Sequence, residues 1–282
     1  MKIGISAFAW TADFTSQHLS LLPRIKEMGL AGVEIPMFDP AKLPVQGIRR
    51  ACEQNDLECT VCAILPPNVN PIDDDVDRRR QSHRHLARCV EILAELGAKL
   101  LGGPLYAPIG YLPSHRPSID EFNWAVEAFQ SLGPLLDSNQ ITLSIEPVNR
   151  SETFFLRTAA EARRLCEAIG HPRIGITIDT FHANIEEKSV VDAIQSLPPH
   201  LMHLHMSEND RGLLGQGHVD FPGVVAVLRD SGYEGYLMIE GFGYSEQELH
   251  SPGYLWADLA VSPEELAREG LQYLRTILSS AS

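Results

Sequence analysis

Residues 141–146 read Ile-Thr-Leu-Ser-Ile-Glu and residues 174–179 read Ile-Gly-Ile-Thr-Ile-Asp, with Ala159–Ile169 between them carrying apolar residues at helical spacing. Each short β-rich run finishes on a carboxylate, Glu146 or Asp179, and the segment joining them is an amphipathic helix. Thr158 stands where the helix N-cap belongs with Glu161 three residues on, and Gly170 stands where the helix should stop. The stretch therefore reads as strand, helix, strand, with an acidic residue at the C-terminal end of each strand.

The same alternation runs outward to both ends of the chain. Strands are expected at Lys2–Ala9, Gly32–Ile35, Glu58–Ile64, Lys99–Leu101, Ile141–Ile145, Ile174–Ile178, Leu201–Met206 and Tyr236–Ile239. Amphipathic helical stretches include Val76–Leu96, Ile119–Leu136, Ala159–Ile169, Val224–Ser231 and Pro263–Leu278, with Gly29, Gly97 and Gly232 as further stop signals. Eight β-then-α units predict an α/β protein built as a single (β/α)8 TIM barrel over residues 1–282, since open sheets of this kind have about five or six strands. Pro66–Asp75 and Pro104–Pro117 read as long βα loops, on the face where this fold collects its catalytic groups. Asp73-Asp74-Asp75 reads as the acidic start of a helix.

Composition narrows the partners. The 282 residues hold 23 Lys+Arg and 37 Asp+Glu, a formal charge of −14, which repels phosphate backbones, and no basic cluster interleaved with aromatics is present. Nucleic acid is not expected as a partner. No run approaches the ~18 apolar residues of a membrane span, and the opening Met1-Lys2-Ile3-Gly4-Ile5-Ser6 enters strand-like sequence without a basic, then apolar leader. A cytoplasmic protein with no membrane contact is the expectation. Of five cysteines, Cys59 and Cys62 have C-x-x-C spacing, but they fall in a strand whose alternate side chains point to opposite faces, so buried thiols are expected rather than a redox or zinc pair.

Four successive strands end on Glu146, Asp179, His205 and Glu240. In a barrel these side chains converge at the mouth. Three carboxylates crowded there would repel one another and be driven toward protonation, whereas a divalent cation removes that cost. Three oxygen donors and one nitrogen suit one Mn²⁺ ion, with Mg²⁺ and Co²⁺ as substitutes and Zn²⁺ also accommodated. Glu34, ending Gly32-Val33-Glu34, either reaches this site or is a paired structural carboxylate. His203 precedes His205 by two residues and so points to the same face. His83, His85, His115, His171 and His250 read as solvated and carry no assigned role.

The segments Ile145 to Glu152, Ile178-Asp-Thr-Phe-His-Ala-Asn-Ile-Glu-Glu187, His203 to Arg211, and Gly232 through Glu240-Gly241-Phe242 resemble the motifs of the ketose 3-epimerases. That family, typified by D-tagatose and D-allulose (psicose) 3-epimerases, belongs to the xylose-isomerase-like barrels. The resemblance spans nearly the whole chain, to the closing Ser262-Pro263-Glu264-Glu265-Leu266. It implies that Glu146, Asp179, His205 and Glu240 ligate the metal. It further implies that Glu152, His182 and Arg211 hold O1 and O2 of a free ketose. Glu146 and Glu240 match the two carboxylates that remove and return the C3 proton on opposite faces, through a cis-enediolate. Phe8, Trp10 and Phe242 match an apolar rim at the far end of the sugar, and Tyr111 lies near another such position. A homo-oligomer, dimer or tetramer, is implied as well. The chain departs from the family at Gly212-Leu213-Leu214-Gly215, where Pro-Pro-Gly is common, and at Gly241, where proline is typical.

Three other readings compete. An aldose–ketose or hydroxypyruvate-type isomerase of the same superfamily would move a proton between C1 and C2. An apurinic endonuclease relative would need further histidine ligands and a basic groove, against the −14 charge. A non-catalytic sugar-binding barrel would be expected to have lost ligands.

Overall fold

The computed structural model describes residues 1–242 and 261–280; His250 lies outside them. The strands are β1 (Lys2–Ser6), β2 (Gly32–Met37), β3 (Glu58–Ala63), β4 (Leu100–Gly103), β5 (Thr142–Ile145), β6 (Ile174–Asp179), β7 (Leu201–Met206) and β8 (Tyr236–Ile239). All pair in parallel in chain order, and β8 closes on β1 with Lys2 opposite Tyr236 and Ile5 opposite Ile239. Around them run α1 (Leu21–Glu27), α2 (Val45–Gln54), α3 (Val76–Leu96), α4 (Ile119–Asn139), α5 (Ala159–Ile169), α6 (Thr180–Glu186), α7 (Val190–Gln195), α8 (Phe221–Asp230) and α9 (Pro263–Ser280). The expected closed (β/α)8 barrel is what the chain forms.

Local chemistry explains the boundaries. Thr158 caps α5 in a capping box with Glu161, and Ser118 caps α4 in the same way with Glu121. Asp75 caps α3, as the acidic run suggested. Gly97 and Gly170 close α3 and α5 at φ 84° and 66°, a left-handed conformation that costs glycine no Cβ clash. Two expectations are corrected. The run Lys2–Ala9 is not one strand: Ser6 accepts the Phe8 N–H and caps a short 3-10 turn at Ala7–Ala9. The fourth strand starts at Leu100 and continues to Gly103, where φ is 123° and an added Cβ would lie 2.2 Å from the Ala63 carbonyl oxygen.

The apolar core lies between strands and helices, where Ile5, Val33, Ile35, Val61, Leu101, Leu143, Ile176 and Leu204 are fully buried. Inside the barrel the picture is different. Thr177 Oγ1 donates to Ser144 Oγ at 2.7 Å, Thr60 Oγ1 donates to Glu34 Oε2 at 3.2 Å, and a Cβ on Gly4 would meet Met238 Sδ at 2.9 Å. Small and polar side chains fill the interior, so buried polar atoms must be paired there. This polar column supports the site above it. Cys62 faces the barrel mouth while Cys59, on the other face, lies against Cys52 of α2; all five cysteines are free thiols. Among the described residues no helix is long and apolar enough to cross a membrane.

Candidate active site

A cavity of about 370 Å³ opens at the C-terminal ends of the strands, the size of a small-molecule site. Glu146, Glu152, His182, Arg211 and Glu240 line one part of it, and Phe8, Phe38, Ile64, Ile109 and Phe242 line the rest. The loops after β3 and β4 contribute Leu65, Pro66, Pro67 and Pro104. Phe8 and Phe242 pack at 5.2 Å between centroids with their rings tilted by 42°, and the structure brings both to the cavity wall. Trp10 is not part of the described wall. Its indole Nε1 donates to Glu264 Oε1 of α9 at 3.1 Å, a long-range partner that fixes the ring against the helix layer. Tyr111 packs on Phe154 at 5.7 Å between centroids and is not among the lining residues either.

The four strand-end residues meet at the base of the cavity, where Glu146 and Glu240 line it and Asp179 and His205 lie against them beneath the lining. Glu146, Asp179, His205 and Glu240 are all nearly fully buried, and donor atoms of Asp179, His205 and Glu240 lie within 4.8 Å of one another. His205 Nδ1 is 3.2 Å from Glu146 Oε1 and 3.4 Å from Glu240 Oε1. Its Nε2 lies 2.9 Å from Glu34 Oε1, an approach off hydrogen-bond alignment, and neither atom has another partner among the described residues. His203 Nε2 bonds Glu34 Oε2 at 2.9 Å. Burial alone would lower the proton affinity of His205, but Glu34, Glu240 and Glu146 reverse this and raise it well above the usual histidine range. Burial would raise the Glu34 carboxyl, yet the imidazoles of His205 and His203 hold it well below the ordinary carboxylate range. Glu34 is thus the paired carboxylate beneath the site.

This arrangement fits a cation. With Nε2 turned to Glu34, the Nδ1 lone pair faces two carboxylate oxygens, acceptor against acceptor, unless a positive charge lies between them. The carboxylates that draw a proton toward His205 would draw a divalent ion by the same field.

Asp179 has two tasks that its position joins. Oδ1 accepts the Phe181 N–H as the N-cap of α6, and Oδ2 accepts Arg211 Nη1 at 2.7 Å. Arg211 Nη1 also reaches Glu240 Oε2 at 2.7 Å and Ser207 Oγ at 2.9 Å. Its guanidinium stacks over Phe181 at 3.9 Å and Phe242 at 4.9 Å. Arg211 adopts φ 64°, a costly conformation for a side chain with a Cβ, and the β7–α8 loop imposes it. Glu208 anchors that loop: its carboxylate is fully buried and accepts the N–H groups of Asn209, Gly215 and Val219 at 3.0, 3.0 and 3.1 Å.

His182 and Glu152 complete the polar end. Burial pushes the His182 imidazole down to about 3, so it is neutral at ordinary pH. Burial pushes the Glu152 carboxyl up to about 7, with Arg211 pulling the other way. Cys62 lines the same cavity, and burial, reinforced by Glu34 and Glu146, raises its pKa well above the usual thiol range, so it is a thiol and not a nucleophilic thiolate. Of the other histidines, His115 is exposed, whereas His83 and His85 are half-buried along α3 and His171 packs near Gly133, so those three are not the solvated groups expected.

Two residues with clear roles in this geometry, Asn149 and Glu208, were not singled out by the sequence, though both lie in its quoted motifs. A polar side chain three residues from another, as Asn149 is from Glu152, was the available signal.

Comparison with known proteins agrees with the geometry. Residues 22–277 match the family model of the xylose isomerase-like TIM barrels. A probable ketose 3-epimerase of Synechocystis sp. is 31% identical over 98% of this chain and 96% of its own length. A ketose 3-epimerase of Arthrobacter globiformis is 30% identical over 99% and 98%. The solved structure of an L-ribulose 3-epimerase superposes with a TM-score of 0.92 at 26% identity, covering 99% of this chain and 95% of that one. With a barrel of this topology, a four-residue acidic and imidazole cluster at its mouth and full-length similarity at this level, the chain belongs to the xylose isomerase-like TIM barrels and, within them, to the ketose 3-epimerase family.

Proposed function

We propose that this protein epimerises free ketoses at C3 with one divalent cation, Mn²⁺ first and Mg²⁺ or Co²⁺ as substitutes, held by Glu146, Asp179, His205 and Glu240. The observation that carries the reading is His205 Nδ1 facing, at 3.2 and 3.4 Å, Glu146 Oε1 and Glu240 Oε1, the carboxylates of two residues that line a sugar-sized cavity. Bound there, the cation would act as a Lewis acid on the sugar oxygens next to C3.

The chain's own residues supply the rest. A proton α to a ketone is too weak an acid for a carboxylate unless the developing oxyanion is stabilised, and the Arg211 and His182 side chains stand at the polar end for that purpose. Glu152 beside them takes a sugar hydroxyl. Glu146 and Glu240, immediately after β5 and β8 at separated parts of the rim, act as the base and the acid on the two faces of C3. Arg211 is the single Lys or Arg among the described lining residues and is already engaged by Asp179 and Glu240. Among the described lining residues no second Lys or Arg remains for a phosphate, which favours free over phosphorylated sugars. The apolar walls keep water from the exposed enediolate.

A panel of ketohexoses and ketopentoses with Mn²⁺ in D₂O, scored for C3 epimers and for deuterium at C3, tests this. Deuterium at C1 with C3 untouched would instead identify an aldose–ketose isomerase, and no exchange at either carbon would point to a sugar-binding barrel. We further propose a cytoplasmic homo-oligomer, a dimer or tetramer, made of one barrel domain over residues 1–282, which sedimentation of the purified chain tests.

A further inference from the structure

Asn149 touches two members of the polar end at once. Its main-chain N–H lies 3.2 Å from His182 Nδ1, and its side-chain Nδ2 lies 2.9 Å from the same atom. Nδ2 also donates to Glu152 Oε1 at 2.8 Å, while Oδ1 accepts the Ser151 N–H at 2.9 Å, which fixes which end of the amide is which. Both groups facing Nδ1 are donors. Nδ1 therefore carries the lone pair, and the single proton of the neutral ring sits on Nε2.

That assignment changes how the 3.3 Å contact between His182 Nε2 and Arg211 Nη2 is read. In the other tautomer Nε2 would accept from Arg211 and the pair would close on itself. With the proton on Nε2 the contact is donor beside donor; Asp179 Oδ2, 3.5 Å from Nε2, is taken by Arg211 Nη1 at 2.7 Å and makes no hydrogen bond to the ring, so the Nε2 and Nη2 hydrogens remain for one oxygen entering the cavity. We propose that Asn149 is a positioning residue: it holds His182 as an Nε2–H donor and holds Glu152, so that His182 and Arg211 present two hydrogens to a single carbonyl or enediolate oxygen. The identity of that oxygen rests on the ketose reading above, but the tautomer does not.

Two substitutions separate the parts. Asn149→Asp puts a carboxylate 2.9 Å from Nδ1 and 2.8 Å from Glu152, drawing the ring proton to Nδ1 and repelling Glu152. Asn149→Ala leaves the main-chain N–H in place, so the tautomer survives while Glu152 is freed. The full-length Mg²⁺-loaded protein is read by ¹⁵N NMR of the His182 ring, assigned by its loss in His182→Gln, together with kcat, KM and bound metal. Nε2–H is expected in the wild type and in Asn149→Ala, the latter with KM raised more than kcat is lowered. Asn149→Asp is expected to show Nδ1–H, normal metal content and kcat lower by about 10²–10³, the usual effect of losing one such donor. Nδ1–H in the wild type, or undiminished kcat in Asn149→Asp, would overturn the proposal. Failure of Asn149→Asp to fold leaves the wild-type spectrum and Asn149→Ala to decide it. A wild type that epimerises no ketose would sink the functional reading and leave the ring-proton measurement standing.

Discussion

His205 Nε2 lies 2.9 Å from Glu34 Oε1, on the opposite edge of the ring from the carboxylates of the cavity floor. The ring is backed from below by this charge contact, and its upper nitrogen faces Glu146 and Glu240, where the proposed cation would sit. Such outer partners commonly contribute about 10–100-fold to metal affinity.

Glu34→Gln should therefore lower Mn²⁺ affinity by about 10–100-fold while Glu146, Asp179 and Glu240 are untouched, as measured by titration calorimetry. Unchanged affinity would mean that β5, β6 and β8 orient the centre without help from β2.

Asp179→Asn separates the two tasks of that residue. Asparagine is as good an N-cap as aspartate, so α6 can keep its Phe181 N–H partner, but its single acceptor oxygen cannot also hold Arg211, which keeps Glu240 and Ser207, and the melting temperature should fall. The lost charge should release the cation and abolish turnover. Full activity in a metal-free preparation of the wild type would refute the premise.

How much of this was legible in sequence depends on range. Leu201–Met206 and Tyr236–Ile239 are strands with the expected bounds because turn residues flank short apolar runs on both sides. The run from Lys2 to Ala9 stays apolar past the strand because Ala7–Ala9 are buried in a turn, and composition alone does not tell a buried turn from a buried strand. Gly102-Gly103 carry no side chains to alternate, so the end of β4 left no periodic signal. Carboxylates at strand ends were readable because the barrel dictates where they point. Trp10 was not, since its partner Glu264 is 254 residues away, and the choice between two roles for Glu34 needed His203, 169 residues away.

Arg211→Ala should lower turnover by about 10²–10³ with a smaller change in bound metal, because it removes the donor at the polar end, while a bound cation would itself neutralise the Asp179 and Glu240 carboxylates that lose Nη1. A ketose-bound crystal structure with Arg211 beyond a bridging water from every sugar oxygen would withdraw this role.

Glu152 gives a pH signature. Its carboxyl titrates at about 7 in the fold against an ordinary 4.5, so the folded state holds the proton more tightly than the unfolded one. The stability this contributes is complete below about 4.5 and is lost as pH rises through about 7, amounting to something on the order of 3 kcal/mol. In chelator-treated protein, Glu152→Gln should remove that slope, so that its denaturant midpoint rises relative to the wild type between pH 5 and pH 8. Parallel curves would show that Glu152 is not raised.

Glu146→Gln and Glu240→Gln test the two-face mechanism. Each keeps its size and one oxygen for the cation but loses the base, so both should stop net epimerisation while retaining some metal. Solvent exchange distinguishes them further. Abstraction and return on one face need only one carboxylate, so a variant with a surviving base should still exchange the C3 hydrogen of one epimer with D₂O. The two variants should therefore label opposite epimers, because Glu146 at the end of β5 and Glu240 at the end of β8 approach the sugar from different parts of the rim. Labelling of the same epimer by both would mean that one carboxylate serves both faces, and labelling of neither would place the base elsewhere in the cavity.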